Sequence, residues 1–154
     1  MRTLAKLLST MGPVGRELKA PGTWGSAIGL LFGLISASRL TPMVVFVLAA
    51  LAFLSGVFLS SIAEREYQQH DPSIVIIDEV VGMWLIVASF PQFVDRPGWL
   101  LTAFLLFRFF DILKPPPLRL LERAPSGWGI MLDDLGAAAY TCLILELASR
   151  WLIR

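Results

Sequence analysis

Apolar residues along this chain gather into five runs separated by short polar stretches: Trp24–Ala37, Met43–Ile62, Ile74–Phe90, Trp99–Leu113 and Leu135–Ile153. The runs lack the strict apolar–polar alternation of a half-buried strand. They stop at Thr41-Pro42, Pro91 and Pro115-Pro116-Pro117, which are helix terminators. The pattern therefore predicts helices. Only Met43–Ile62 is an uninterrupted run of the ~20 residues that cross a ~30 Å hydrocarbon layer. The first run is marginal in length and suits a tilted, re-entrant or neighbour-supported helix. The third is broken by Asp78-Glu79, and the fourth carries Arg108 and Asp111 toward its end. Gly25, Gly29 and Gly33 recur every four residues, a small-residue stripe that lets another helix approach closely.

Composition turns these helices toward a bilayer. A hydrophobic content of 56% and a mean hydropathy of +0.70 exceed those of an ordinary soluble domain. The predicted fold is all-α: a polytopic membrane bundle of about four to five apolar helices, one domain over residues 1–154, with residues 1–20 as an N-terminal arm. That arm has no continuous apolar stretch or cleavage site, so it does not read as a removable signal peptide. A net charge of +1 offers no basic footprint for nucleic acid. Cys142 is alone, which excludes an intramolecular disulfide and a thiolate–metal cluster. If every run crosses, the arm, the loop 63–73 and the segment 114–134 share one face. Arg2, Lys6, Arg16, Lys19, Lys114, Arg119 and Arg123 lie there, whereas the other short loops hold only Arg39 and Arg96; Arg150 and Arg154 dissent. By the positive-inside rule the shared face is cytoplasmic.

Two acidic doublets, Asp78-Glu79 and Asp133-Asp134, stand at the entrances to apolar runs. A carboxylate at mid-bilayer costs roughly 2.5–3.5 kcal/mol on insertion scales, so such groups persist at the interface or facing a polar site. Adjacent helical side chains diverge by about 100°, so Asp78 and Glu79 are not expected to chelate one ion as a simple pair. Gly82, one turn on, leaves space beside them, and His70 and Asp71 precede them as a proton donor or further ligand. Arg108, Asp111 and Lys114 are spaced by three, which places two cations and a carboxylate on one helix face suited to phosphate oxygens. Gly127-Trp128-Gly129 leads into the second doublet as a flexible approach. Pro21-Gly22-Thr23-Trp24-Gly25-Ser26 combines backbone N–H groups freed by glycine, two hydroxyls and a helix N-terminus, a plausible phosphate nest. Other phosphatase designs are missing: Ala148 stands where a Cys-x5-Arg loop from Cys142 needs arginine, no Asp-x-Asp occurs, and one histidine cannot supply a two-histidine mechanism. No Asp-Gly-x-x-Ala-Arg or Gly-x-x-x-x-Gly-Lys signature is found. What remains is carboxylate-bound divalent metal with basic side chains, the parts of metal-assisted phosphate-ester hydrolysis.

Four ordered motifs resemble the phosphatidylglycerophosphatase A family: Pro-Gly-Thr-Trp-Gly-Ser at 21–26, His-Asp-Pro-Ser at 70–73 running into Asp-Glu-Val-Val-Gly at 78–82, Phe-Arg-Phe-Phe-Asp-Ile-Leu-Lys-Pro at 107–115, and Gly-Trp-Gly-Ile-Met-Leu-Asp-Asp at 127–134. Ahead of the first motif the family is glycine-rich, whereas this chain has Gly12, Gly15 and then Arg16-Glu17-Leu18-Lys19. The resemblance implies a Mg²⁺-dependent phosphatase of the bacterial inner membrane that converts phosphatidylglycerol phosphate to phosphatidylglycerol and inorganic phosphate, the last step of that lipid's synthesis. On this reading Asp78, Glu79, Asp133 and Asp134 hold one or two Mg²⁺. Asp71 or Asp111 accepts the proton of the attacking water, and Arg108, Lys114 and Arg119 offset phosphoryl charge. His70 protonates the leaving glycerol oxygen, and Thr23 and Ser26 hold either the terminal phosphate or the bridging phosphodiester. Expected partners are the phospholipid substrate and the membrane. The rivals are a small cation channel or ion-coupled transporter lined by the acids, and a non-catalytic scaffold. The clustering of the doublets at one face speaks against the first, and the Arg-Asp-Lys face against the second.

Overall fold

The computed structural model describes residues 2–152, with side chains from Leu4 to Trp151. Ile153 and Arg154, and the side chain of Arg2, lie outside the described residues. Within these bounds every regular element is helical: α1 (Arg2–Ser9), α2 (Val14–Glu17), α3 (Pro21–Arg39), α4 (Pro42–Tyr67), α5 (Ile77–Ser89), a 3-10 turn at Pro91–Phe93, α6 (Pro97–Leu113), α7 (Leu118–Leu121) and α8 (Gly127–Leu152). Proline opens α3, α4 and α6, where its missing N–H costs nothing and its fixed φ fits the first turn. Pro115 ends α6 by disfavouring helical geometry at Lys114, which takes φ 45°.

The short helix α5 is the axis of the bundle and packs against α3, α4, α6 and α8. The glycine stripe of α3 makes the closest of these contacts. A Cβ at Gly29 would strike the Val80 carbonyl and Met83, one at Gly33 would strike Val87, and one at Gly25 would press on Ile76 and Glu79. Gly29→Ala is therefore expected to cost about 1–3 kcal/mol through forced separation of α3 and α5. Thermal unfolding in detergent checks this, and an unchanged midpoint would show that the two helices part without cost. Gly82 does not leave the open space that its position suggested: the ring of Phe107, on α6, fills it. Below the polar end, Met83, Ile86, Phe107, Leu118, Ala137 and Leu145 form one apolar core, while Val57, Val81, Ile130 and Met131 form a second beside α4.

The third apolar run becomes helical at Ile77 rather than Ile74. The Ile76 amide donates instead to the Ser9 carbonyl at 2.9 Å, which ties the N-terminal arm to the entrance of α5. Lys6 fastens the same arm to α4 through Glu66, at 3.1 Å.

Four to five spans are not what the helices establish. Among the described residues, α4 alone is long and apolar enough to cross a membrane. α5 has 13 residues and α6 has 17, roughly 20 and 26 Å at 1.5 Å per residue. Much of the apolar surface nevertheless faces outward, including Met43, Val47, Leu51, Leu54 and Phe58 on α4.

Candidate active site

A cavity of about 330 Å³ opens where the N-termini of α3 and α5, the C-terminus of α6 and the second turn of α8 converge. Three of its lining residues, Ala20, Asp71 and Lys114, have φ of 54°, 48° and 45°, and each precedes a proline. Such left-handed conformations are strained for L-residues and persist where surrounding structure imposes them.

The carboxylates divide into two groups. Asp78, Glu79 and Asp134 form the inner one, with ligand oxygens within 4.8 Å of one another. Neighbours on a helix diverge, yet Asp78 and Glu79 in the first turn of α5 each bring one oxygen within reach of Asp134 from α8. Asp78 Oδ1, Glu79 Oε2 and Asp134 Oδ2 are buried without a hydrogen-bond partner, as is Arg108 Nε. Arg108 Nη1 lies 3.7 Å from Glu79 Oε1 and donates to Asp111 Oδ2. A single guanidinium cannot balance the inner group together with Asp111. Three converging carboxylates, each with an unpartnered oxygen and with no histidine or cysteine among them, fit a hard cation such as Mg²⁺ and match zinc poorly.

The outer group is Asp71, Glu122 and Asp133. It already holds a cation: Lys114 Nζ lies 2.5 Å from Asp133, 3.1 Å from Glu122 and 3.8 Å from Asp71. A metal there would meet the ammonium. Asp133 is thus the lysine's partner, while Asp134 serves the inner group. Burial pulls the Lys114 ammonium down, but its bonds to Asp133 and Glu122 outweigh that and hold it above the ordinary lysine range. Burial pushes the Asp71 carboxyl above its ordinary value, against the pull of Lys114.

The remaining expected residues are placed less uniformly. Asp111 and Arg108 line the cavity. Thr23 is exposed outside it, and the Ser26 hydroxyl donates to the Gly22 carbonyl at 2.8 Å, so the start of α3 meets the cavity through Ala20, Pro21 and Gly22 and not through either hydroxyl. Arg119 donates to the carbonyls of Lys114 (3.1 Å) and Leu113 (3.5 Å), closing the end of α6. His70 stands outside the cavity: Nδ1 meets Glu64, and Nε2 lies 3.3 Å from the Glu122 carbonyl. The bond to Glu64, against slight desolvation, raises its pKa. α8 begins at Gly127, so Asp133-Asp134 lie in its second turn and cap nothing. Gly127 instead seats against Val57 and Ser61 of α4. Glu122 was not foreseen, whereas Gly22 belongs to the glycine-opened start of α3 that the sequence offered as a phosphate nest. Glu122 has no periodic relation to Lys114, because the chain reverses through the prolines and α7 between them.

Buried acids and cations converge on one cavity of this all-helical bundle, and comparison with known proteins sets the chain among the phosphoric monoester hydrolases. The family model described as Phosphatidylglycerophosphatase A matches residues 7–149. The chain belongs to that family. It is 39% identical over 135 residues to the phosphatidylglycerophosphatase A of Haemophilus influenzae, covering 87% of this chain and 82% of the relative. It is 31% identical over 126 residues to the Escherichia coli protein of the same name, covering 81% and 72%. A Bacteroides thetaiotaomicron protein whose name proposes a phosphatidylinositol-3-phosphatase is 36% identical over 140 residues, covering 87% and 86%. No solved structure matches the chain.

Proposed function

We propose that the protein hydrolyses the terminal phosphate of phosphatidylglycerol phosphate, releasing phosphatidylglycerol and inorganic phosphate, with Mg²⁺ held by Asp78, Glu79 and Asp134. The observation that carries this reading is the convergence of three carboxylates, Asp78, Glu79 and Asp134, each with a buried oxygen that lacks a hydrogen-bond partner, with Arg108 lining the same cavity. Bound there, Mg²⁺ supplies positive charge to a phosphate dianion. Arg108 and Lys114 orient and neutralise the phosphoryl oxygens, and the N-terminal end of α3 adds its dipole. Asp71, at the mouth and with its carboxyl pushed above the ordinary value by burial, takes a proton from the attacking water. Asp111 is spent on Arg108 and His70 on Glu64 and Glu122, so neither performs that step. The P–O bond to glycerol breaks, and solvent at the mouth protonates the departing oxygen.

The protein is proposed to sit in the bacterial inner membrane with α3, α4, α5, α6 and α8 embedded and the cavity at the cytoplasmic face. Exposed Leu31, Ile35, Leu51, Phe58, Leu105 and Leu147 spread apolar surface over four of these helices, more than a water-facing monomer tolerates. Lys6, Arg16, Lys114, Arg119 and Arg123 belong to segments at the cavity end, which agrees with the positive-inside rule. The substrate's acyl chains would then stay in the bilayer.

Phosphate release from phosphatidylglycerol phosphate in neutral detergent micelles, with p-nitrophenyl phosphate for comparison, tests the substrate class. Turnover of the lipid at least about 10²-fold above the soluble ester is expected, since remote binding energy is used at the reacting centre. Equal turnover would contradict a lipid-directed site. Asp71 must be ionised to act as base, so activity falls as pH drops through its raised pKa. Asp71→Asn is expected to lower kcat about 10²-fold and to remove that acid limb. Its stability effect has the opposite sign. Between the ordinary aspartate value and the raised one, the folded state keeps a proton that the unfolded chain releases, so stability falls as pH rises through that window, and the substitution abolishes the fall. An acid limb unchanged in Asp71→Asn would assign the base elsewhere.

A further inference from the structure

A second depression of about 330 Å³ adjoins the first and shares Lys114 and Ile112 with it. Its character differs. Where six acids line the first, this one presents His70, Arg119 and Arg123. Its acid, Glu122, is turned to Lys114 at 3.1 Å, and Glu64 answers His70. Arg119 donates to two backbone carbonyls, and Arg123 is exposed, with no ion pair to an acid among the described residues. Ile112 and Leu113, 74% and 50% exposed, form the apolar rim on the α6 side. A cationic hollow beside a phosphomonoester site, rimmed by exposed aliphatic side chains, matches the rest of a phospholipid headgroup: a second, singly charged phosphate followed by acyl chains.

We infer that this depression binds the phosphodiester linking the headgroup to diacylglycerol, with Arg123 as its principal free cation, and so selects lipids carrying a phosphomonoester and a phosphodiester on one headgroup. The inference rests on the proposed phosphatase reading and extends it from the cleaved phosphate to the one retained. Lys114, common to both hollows, marks the boundary between them. Phosphatidic acid has a phosphomonoester but no diester, so it would fill the first hollow and leave the second without an anion. Arg123 is thus a specificity residue that touches no reacting atom, and its loss should appear in KM rather than kcat.

The test compares steady-state phosphate release from phosphatidylglycerol phosphate and from phosphatidic acid of the same acyl composition, in neutral detergent micelles with Mg²⁺. Wild type, Arg123→Gln, Arg123→Lys and the double variant Arg119→Gln/Arg123→Gln are assayed. Wild type is expected to favour the two-phosphate lipid. Arg123→Gln should raise its KM about tenfold, the scale of one charge-assisted contact, with kcat changed less than twofold. The double variant should lose more, and Arg123→Lys should recover part of the loss. The ratio of kcat/KM between the two lipids should fall accordingly. An equal loss on both lipids, or no loss on either, would overturn the inference while leaving the phosphatase reading intact. So would a wild type that cleaves both lipids equally well. A folded wild type inert on every lipid phosphate would overturn both.

Discussion

Asp134→Asn is expected to reduce phosphate release by at least about 10³-fold while the bundle stays folded, and Asp78→Asn to do the same. Both carboxylates are buried, each has an oxygen without a hydrogen-bond partner, and with Glu79 they share a space less than 5 Å across. Like charges so placed repel each other and lack water, so without a cation the inner group works against folding. Replacing one acid by its neutral amide relieves that repulsion. The Asn variants should therefore unfold no earlier than wild type in metal-free buffer. With Mg²⁺ the order reverses: at about 100 times its Kd the ion stabilises a binding protein by about 2.7 kcal/mol, and the variants should gain far less. Thermal unfolding with and without Mg²⁺ reads this independently of turnover. A variant that loses activity yet keeps the full Mg²⁺-dependent stabilisation would show that its carboxylate is not a ligand.

Lys114→Met is the second substitution with a large expected effect, on stability as well as activity. The ammonium neutralises Asp133, whose side chain is 5% exposed, and is itself 20% exposed. Removing one partner of a buried pair costs about 3–5 kcal/mol, and the partial exposure of Lys114 favours the lower end, near 3. Asp71 and Glu122 lose the same counter-charge. Because the folded-state pKa of Lys114 is raised, its contribution is fully present below the ordinary lysine value and is lost as pH rises through the raised one. The deficit should therefore be complete at neutral pH. Adding Asp133→Asn should recover part of it by removing the orphaned charge. A Lys114→Met protein within about 1 kcal/mol of wild type, by denaturant unfolding in micelles, would contradict the central place given to this lysine.

The residues legible in the sequence are those whose relation is local. Arg108 and Asp111 share a face because a helix repeats every 3.6 residues, and Lys114, just past the end of α6, joins them in lining the cavity. Gly25, Gly29 and Gly33 announce a close helix contact by the same periodicity, and α5 occupies it. What eluded the sequence depends on how distant segments meet. The split between Asp133 and Asp134 is set by Lys114, nineteen positions earlier and across the proline turn, so spacing could not say which acid is already neutralised. Glu122 reaches the same ammonium from beyond α7. Ser26 has the chemistry of a phosphate ligand, but its hydroxyl satisfies a carbonyl one turn back, a local bond always open to a helical serine. His70 looked catalytic by motif, yet the ends of α4 and α7 supply acceptors for both its ring nitrogens. Span number was least legible, because helices such as α5 are apolar by being enclosed in protein, which composition alone does not separate from apolarity facing lipid.

The most direct test of the account is phosphate release from phosphatidylglycerol phosphate by the purified protein in neutral detergent, followed through one cycle of Mg²⁺, excess chelator and Mg²⁺ restored. The account predicts release with Mg²⁺, its loss on chelation and its return on restoration. Release that continues unchanged in excess chelator would contradict a metal held by Asp78, Glu79 and Asp134, and no release at any stage by a folded protein would contradict the proposed reaction itself.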